Sequence, residues 1–298
     1  MRMSPTQEER ARHFLSLHRM KRPFVLANSW DVVTALLFAR EGFLAIGTSS
    51  YATAATLGLP DGQQIDLQET VNLVRRLAHR IDLPISADIE AGYAETVEGA
   101  VRSASAVFAA GAVGINIEDG TSDPDRPLLD LLLQCEKIGA IRAMVDAADF
   151  HPVVNARTDT FLLSNRDLRS RVRETIVRGR AYSEAGADCV FVPDMGDLDA
   201  ATMKELVDEI GTPLNVVAGG ATPSMTALEE IGIARVSMGP RVMRAGLGLF
   251  REIAREILDH GTFKKLTTGA LSYEETNQLL AEPHRSARTT AADVRKRS

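Results

Sequence analysis

The 298-residue chain is poor in cysteine and histidine. It has two cysteines, Cys135 and Cys189, too few for a disulfide framework or a thiolate metal cage, so we expect both to be reduced packing residues. Its six histidines fall in predicted helices, at one strand start or in the C-terminal tail. Catalysis by a nucleophilic cysteine or a Ser-His-Asp triad therefore lacks a necessary part.

An excess of positive charge and long apolar runs are also missing. Lysine and arginine total 34 against 40 aspartates and glutamates, a net charge of −6, whereas nonspecific nucleic-acid binding needs a basic face. No segment approaches the roughly 18 apolar residues of a membrane span, and the charged N-terminus lacks the apolar stretch of a signal peptide. We expect no nucleic-acid or membrane partner and a cytoplasmic location.

What the chain does contain is a regular alternation of short β-branched runs and longer amphipathic stretches. The pattern predicts eight strands, over residues 23–30, 43–51, 84–93, 113–120, 151–160, 189–195, 213–220 and 234–240. Glycines such as Gly111 and Gly186 end the predicted helices that come before the fourth and sixth strands. Eight successive βα units close most naturally into a (β/α)₈ barrel.

Further segments flank the predicted barrel. A helix is predicted over residues 4–20, a long helix over 240–261 and another over 273–281. Residues 282–298 are locally basic and poor in large apolar side chains, which predicts a mobile tail. No linker rich in proline, glycine or serine divides the chain, so we assign residues 1–281 to one domain.

Polar side chains are concentrated where strands two to five end, the position at which such barrels collect their chemistry. They are Thr48, Ser49, Ser50, Tyr51, Asp88, Glu90, Asn116, Glu118, Asp119, Asn155, Arg157 and Asp159. The two-residue period of a strand places Asp88 with Glu90 on one side, and likewise Asn155, Arg157 and Asp159.

Carboxylates that converge in this way are costly to bury without a positive charge among them. Because the predicted ligands are all oxygen atoms, a hard divalent cation is expected, Mg²⁺ first and Mn²⁺ second. Arg157 would add a second positive charge, able to grip a substrate carboxylate through two parallel hydrogen bonds. The alternative is that the carboxylates cap helices or pair with nearby arginines.

Two glycine-rich turns follow the last two predicted strands, over residues 218–224 and 237–241. Such turns can cradle a phosphate on backbone amides. Glycine is also what a tight βα turn requires, so the pattern leaves phosphate binding open.

Five motifs in order resemble the isocitrate lyase and phosphoenolpyruvate mutase superfamily over roughly residues 20–260. They are LANSWD, GTSSYATAATLGLPDG, ADIEAGY, INIEDG and NARTDTF. The resemblance implies a (β/α)₈ barrel that uses Mg²⁺ to hold a small 2-oxo or 2-hydroxy acid. It also implies a homo-oligomer, a dimer or a tetramer, in which the last barrel helix is exchanged between subunits; the helices beyond residue 240 are suitable for that exchange.

The resemblance also assigns roles to individual residues. It implies that Asp88 is the principal metal carboxylate, with Asp61, Glu90 and Glu118 reaching the ion mostly through water. Metal and Arg157 together would stabilise an enolate.

The resemblance implies an acid-binding surface as well, formed by Ser49, Ser50 and neighbouring backbone amides below Trp30 and beside Arg157. Candidates to carry a proton are Tyr51, Glu118, Asp159 and a metal-bound water.

The loop after strand four departs from the superfamily pattern. Lyases carry a Lys-Lys/Arg-Cys-Gly-His loop there, and the mutases a lysine where this chain has Gly120. The residues from Gly120 to Asp130 have the length and polarity of a lid, with Asp123, Asp125 and Arg126 able to order over a bound acid. A plain solvated loop is the alternative. Strand six ends in Pro193 and Asp194, where relatives use acid, amide or imidazole groups.

The leading interpretation is a Mg²⁺-dependent lyase or hydrolase that cleaves a C–C bond next to the carbonyl of a small 2-oxo or 2-hydroxy acid. Decarboxylation of an oxaloacetate-like acid needs the fewest specialised groups, because departing CO₂ requires no general acid. The alternatives are P–C chemistry on a phosphonopyruvate-like acid, a keto-acid-binding protein without activity, and a sugar-phosphate enzyme that uses the glycine-rich turns.

Overall fold

Eight parallel strands form a closed barrel in the computed structural model, which describes residues 6–121, 123–163, 165–194 and 196–281. The strands are β1 Phe24–Ser29, β2 Ile46–Thr48, β3 Ile85–Asp88, β4 Gly114–Glu118, β5 Val153–Arg157, β6 Cys189–Val192, β7 Leu214–Val217 and β8 Arg235–Ser237. Each strand pairs with the next, and β8 pairs with β1. The predicted (β/α)₈ barrel is confirmed.

Helices connect and flank the strands. They are α1 Gln7–Leu17, α2 Val32–Arg40, α3 Ser50–Thr56, α4 Leu67–Arg80, α5 Val97–Ala109, α6 Leu131–Ala147, α7 Leu168–Glu184, α8 Ala200–Ile210, α9 Met225–Ile231, α10 Arg241–His260, α11 Lys264–Thr267 and α12 Tyr273–Ala281. Helices α2 to α9 each begin after an Asp, Ser or Thr whose side chain accepts a hydrogen bond from a first-turn amide. These local caps explain why several helix starts are readable from the sequence.

The strands are shorter than the sequence pattern predicts, and this changes two expectations. Strand β2 ends at Thr48 and the chain enters α3 at Ser50, so Tyr51 is helical. Glu90 lies beyond the end of β3 with φ of 50°, in the left-handed region. The strand alternation that placed Asp88 and Glu90 on one side therefore does not apply, and Asp159 likewise lies in a short 3₁₀ helix after β5.

The amino-terminal end of the barrel is closed by α1. Its Phe14 is fully buried, and a Cβ atom on Gly114 of β4 would lie 2.6 Å from the Phe14 ring. The glycine therefore lets the ring pack against the strand. With this end filled by apolar side chains, the polar strand ends are left at the opposite, carboxyl-terminal face.

The C-terminal helices divide into an exposed part and a packed part. Only Met243 and Glu256 of α10 are buried, whereas Phe250 is 63% exposed and Leu258 is 83% exposed. Helix α12 returns to the barrel, where Leu279 is buried in the cluster that α2 and α4 also form. The predicted tail, residues 282–298, lies outside the described residues. No helix in the described part of the chain is long and apolar enough to cross a membrane.

Candidate active site

Asp88 lies at the carboxyl end of β3 and is held on both carboxylate oxygens. Oδ2 accepts hydrogen bonds from the Ser50 backbone amide at 3.0 Å and from the Ser50 hydroxyl at 2.8 Å. Oδ1 accepts one from Asn116 Nδ2 at 3.0 Å. The Asp88 amide donates to the Thr48 hydroxyl at 2.8 Å. Because these hydrogen bonds restrict its rotation, the Asp88 carboxylate is held in one orientation.

The two serines expected to bind substrate make contacts within the protein. The Ser49 hydroxyl accepts a hydrogen bond from the Ala52 amide at 3.3 Å and caps α3. The Ser50 hydroxyl is directed at Asp88. Ser50 thus supports the carboxylate directly, whereas Ser49 caps the helix in which Ser50 lies.

Arg157, at the end of β5, lies between two carboxylates. Its Nε and Nη2 atoms donate to the two oxygens of Asp159 at 2.5 and 3.0 Å, and its Nη1 lies 2.8 Å from Glu118 Oε2. Burial opposes the charge of Arg157, but Asp159 and Glu118 outweigh it and raise its pKa well above the ordinary value. The two parallel hydrogen bonds expected for a substrate carboxylate are made to Asp159.

Glu118 is the carboxylate whose surroundings satisfy it least. Burial raises its pKa well above the ordinary value, although Arg157 opposes this. Its Oε2 atom is buried and accepts no hydrogen bond within the described part of the chain, because the approach of Arg157 is close but not aligned for one. An acceptor in this state favours a further positive charge or a proton.

Glu90 and Asp61 complete the acidic group. Burial raises the pKa of Glu90 to about 7, and the charge of Asp88 adds to this. The Asp61 side chain reaches solvent. Its partial burial nevertheless raises the pKa of its carboxyl group, and the charge of Asp88 adds to this. Glu90 follows Asp88 by two residues, whereas Asp61 lies in a loop after α3 and reaches the site through contacts between distant parts of the chain.

The charges at this face do not balance. Carboxylates from Asp61, Asp88, Glu90, Glu118 and Asp159 surround the guanidinium of Arg157. Within the described ranges, no three acidic or imidazole side chains are placed to enclose a metal ion by themselves. The oxygen-only donor set, its excess of carboxylates and the Glu118 oxygen that accepts no hydrogen bond in the described part of the chain fit a hard cation bound largely through water.

Three further predicted site residues have different surroundings. Asp194 accepts hydrogen bonds from the amides of Gly196 and Asp197, at 2.7 and 3.0 Å, and so stabilises the turn after β6. Trp30 is half-buried between β1 and α2. Tyr51 is half-buried in the first turn of α3. The structure thus brings the acidic residues, Arg157 and the serines together, and gives Asp194 a local role in its turn.

Gly120 is required by the site. A Cβ atom there would lie 2.2 Å from Asp159 Oδ2. With a larger residue the Asp159 side chain would have to shift, so the glycine lets Asp159 pack closely against this loop. The sequence pattern does not reveal this contact.

The first glycine-rich turn is explained by a close approach. A Cβ atom on Gly219 would lie 2.8 Å from the guanidinium of Arg241. The Gly219 amide donates to the Thr222 hydroxyl at 2.7 Å, so it is engaged within the loop. The glycine therefore reflects packing, and phosphate binding has no support from this geometry.

Sequence reasoning missed two polar residues. Asn28 of β1 accepts hydrogen bonds from the amides of Met238 and Gly239, at 2.9 and 2.8 Å, and fixes the loop after β8. Tyr93 contacts Glu90 and shares a 2.7 Å hydrogen bond with Thr70. Both residues lie inside the quoted motifs. An amide side chain in a mostly apolar strand could have indicated Asn28, and an aromatic residue just after a strand end could have indicated Tyr93.

The sequence profile described as phosphoenolpyruvate phosphomutase matches residues 14–258. The chain belongs to this family. An uncharacterised protein of Mycobacterium tuberculosis is 37% identical over 248 residues, which cover 83% of this chain and 89% of the relative. The 2-methylisocitrate lyase of Escherichia coli is 31% identical over 223 residues, 72% of each chain. A crystal structure from Burkholderia cenocepacia, described as that of a candidate lyase or mutase, has a TM-score of 0.86 and 34% identity, covering 93% of this chain and 97% of that one.

More distant members of the family carry other activities. An oxaloacetate decarboxylase of Pseudomonas fluorescens is 27% identical over 76% of this chain and 78% of the relative. A phosphonopyruvate hydrolase of Variovorax is 27% identical over 87% and 90%. A crystal structure of a phosphonopyruvate hydrolase, in complex with oxalate and Mg²⁺, shares the fold with a TM-score of 0.77 and 24% identity, covering 97% of this chain and 96% of that one. These relatives therefore include enzymes named for C–C and for P–C cleavage.

Proposed function

We propose that this protein is a Mg²⁺-dependent enzyme that cleaves a C–C bond next to the carbonyl of a small 2-oxo or 2-hydroxy acid, with an oxaloacetate-like acid as the best candidate. The observation that carries the proposal is the excess of buried carboxylate at the carboxyl face of the barrel, with Asp88 held in one orientation. Relatives named as 2-methylisocitrate lyase and oxaloacetate decarboxylase support the reaction class.

The acidic residues of this site are the ones that would hold the ion. Asp88 would bind it, with Asp61, Glu90 and Glu118 orienting the water around it. When bound, Mg²⁺ would polarise the substrate's carbonyl and stabilise the negative charge that bond cleavage leaves. Phosphonopyruvate hydrolase, whose crystal structure contains Mg²⁺ and oxalate, supports this choice of ion.

The chain's own groups supply positive charge and proton transfer. Arg157, fixed by Asp159 and Glu118, presents a guanidinium beside the developing negative charge. Burial raises the pKa of Glu90 to about 7 and also raises the pKa of Glu118, so these two side chains are the candidates to carry a proton to a carbon atom. Glu90 is a candidate that the sequence pattern assigned only to the metal.

Chemistry at a P–C bond is the second candidate, favoured by the phosphonopyruvate hydrolase relative. Gly120 stands where the resemblance implies a lysine in the mutases, and this argues against the mutase form of it. Turnover of phosphonopyruvate, followed by ³¹P NMR, separates the two.

The test is an assay of C3 to C6 oxo and hydroxy acids with Mg²⁺, comparing the wild type with Asp88→Ala. We expect turnover of at least one acid and a loss of about a thousandfold or more in the variant, because the carboxylate that orients the ion is gone. Circular dichroism checks that the variant is folded. A fully active Asp88→Ala would refute the proposal, and binding of acids without turnover of any would indicate a keto-acid-binding protein.

We also propose that the protein is a homo-oligomer. Large apolar side chains of α10 and the following segment are exposed: Leu247, Leu249, Phe250, Leu258, Phe263, Leu266 and Tyr273. Exposed apolar side chains of this number on α10 and the segment after it are typical of an interface. A second copy of the chain is the proposed occupant, because the resemblance implies exchange of the last barrel helix and α10 leaves most of its apolar side chains exposed.

A further inference from the structure

Two buried asparagine amides connect strand β5 to Asp88. Asn155 Nδ2 donates to Asn116 Oδ1 at 2.8 Å, and Asn116 Nδ2 donates to Asp88 Oδ1 at 3.0 Å. Asn155 is fully buried and Asn116 is 7% exposed. The three side chains therefore form a hydrogen-bonded series inside the barrel, shielded from solvent at its far end.

The carboxylate fixes the direction of this series. An ionised carboxylate only accepts hydrogen bonds, so Asn116 must turn its NH₂ group towards Asp88 and its oxygen towards Asn155. Asn155 must then present its own NH₂ group. A rotation of the Asn116 amide by about 180° would place two oxygens together at one end and two NH₂ groups together at the other.

The far end of the series shows that Asn155 is not there for stability alone. Its Oδ1 atom is buried and has no hydrogen-bond partner in the described part of the chain. A buried amide oxygen without a partner is unfavourable, and an apolar side chain of similar shape would avoid it. The contribution that such a side chain could not make is the hydrogen bond from Nδ2 to Asn116.

We propose that Asn155 is a positioning residue that acts on Asp88 through Asn116. Its donor holds the Asn116 amide in the orientation that supports Asp88 Oδ1, while Ser50 supports Oδ2. Together they set the direction in which the Asp88 carboxylate faces a cation. This inference rests on the proposed function, because it concerns the affinity of the same site for its ion.

The experiment measures Mn²⁺ binding by isothermal titration and thermal unfolding for the wild type, Asn155→Leu, Asn116→Leu and the double variant. Leucine has the branching of asparagine without its donor. Loss of a hydrogen-bond partner of a metal ligand typically lowers metal affinity 10- to 100-fold, and we expect a weakening in this range for Asn155→Leu. Its melting temperature is expected to change little, because the substitution removes the unpartnered Asn155 oxygen and leaves the Asn116 oxygen without its donor. A merely structural role would lower the melting temperature without a specific loss of Mn²⁺ affinity.

The double variant tests whether the effect passes through Asn116. If it does, Asn155→Leu weakens Mn²⁺ binding in the wild-type background and not in the Asn116→Leu background. Asn215→Leu is the matched control. Asn215 is also fully buried on a barrel strand, but its oxygen accepts from the Ser237 hydroxyl at 3.1 Å, and Mn²⁺ binding should change by less than about twofold, as for sites that share no partner.

The outcomes are distinct. Equal Mn²⁺ affinity in the wild type and Asn155→Leu overturns the inference and leaves the proposed function standing. A loss that persists undiminished in the Asn116→Leu background, or that Asn215→Leu shares, also overturns it, since either would indicate general disruption of the barrel. A wild type that binds no Mn²⁺, alone or with oxalate, overturns the proposed function and this inference together.

Discussion

At the scale of single residues, the environment decides what each side chain can do. Asp88 and Glu90 are both acidic and both near the end of β3, yet Asp88 accepts three hydrogen bonds whereas burial raises the pKa of Glu90 to about 7. Burial favours the neutral form of a carboxyl group. The two carboxyl groups, two positions apart, therefore have different surroundings, and under the proposed function Asp88 binds the cation whereas Glu90 is a candidate to carry a proton.

Gly120→Ala tests the close approach of Asp159. The added Cβ would lie 2.2 Å from Asp159 Oδ2, so Asp159 must move and its hydrogen bonds to Arg157 must weaken. We expect a fall in kcat/KM of about tenfold to a hundredfold, because small displacements of positioning groups have effects of this size, with little change in melting temperature.

Gly139→Ala is the control for that substitution. Its Cβ would lie 3.6 Å from the Ala185 carbonyl oxygen, an ordinary contact, so activity should be retained. Equal kinetics for the two variants would mean that the Arg157–Asp159 geometry does not matter for turnover.

His18 makes folding stability depend on pH. Its ring packs between Phe14 and Phe24, and burial, with Arg235 nearby, lowers its pKa to about 3. The unfolded chain, with an ordinary pKa near 6.5, therefore binds the proton more readily than the folded chain. The stabilisation is complete above about pH 6.5 and is lost as the pH falls towards 3, about 2 kcal/mol of it by pH 5.

Urea unfolding at pH 7 and pH 5 measures this term. The free energy of unfolding should differ between pH 7 and pH 5 by about 2 kcal/mol less in His18→Gln than in the wild type. In His260→Gln, whose imidazole is exposed, the difference should equal that of the wild type. The same pH dependence in all three proteins would contradict the assignment to His18.

At the scale of elements, the segment from Gly120 to Asp130 has fixed ends and a self-contained middle. Gly120 pairs with Leu128, and Arg178 donates to the Leu129 carbonyl at 3.1 Å. Between them, Thr121 and Asp123 bond to each other and to Arg126. The segment borders a cleft of about 1020 Å³. Firm ends, with hydrogen bonds of the described middle residues made mainly to each other, are what a closing loop requires.

Proteolysis tests closure of this segment. A protease that cleaves before aspartate should cut at Asp123 and Asp125, and Mg²⁺ with oxalate should slow the cut about tenfold or more if the segment closes over a bound acid. Cleavage before Asp149, which is fully exposed in the turn that precedes β5, serves as the internal control. Equal slowing of cleavage in the segment and before Asp149, or no slowing at either place, would contradict closure of the segment as a lid.

At the scale of the whole molecule, the barrel and the C-terminal helices are stabilised differently. The barrel buries its apolar side chains between strands and helices, whereas α10 leaves most of its apolar residues exposed and α12 packs back on the barrel. An exposed apolar face on a chain with an ordinary core is explained most simply by a second copy.

Light scattering after gel filtration measures the assembly. We expect a dimer or tetramer for the wild type and a smaller species for Phe250→Asp combined with Leu258→Asp, because charges would be buried without partners at the interface. Arg251→Asp, on an exposed polar position of the same helix, should keep the wild-type mass. A monomeric wild type would contradict the proposal.

The sequence by itself determined the barrel, the order of its elements and the concentration of carboxylates at the strand ends. Periodicity, helix caps such as Asp66 and glycine stops such as Gly186 are local signals, and the position of a residue along a βα unit decides which face of a barrel it reaches. Only the tertiary structure decided that Asp159 would pair with Arg157, that Ser50 would turn to Asp88, and that α10 would leave most of its apolar side chains exposed. Those outcomes depend on contacts between residues from different strands and loops, whose distances and orientations no local pattern contains.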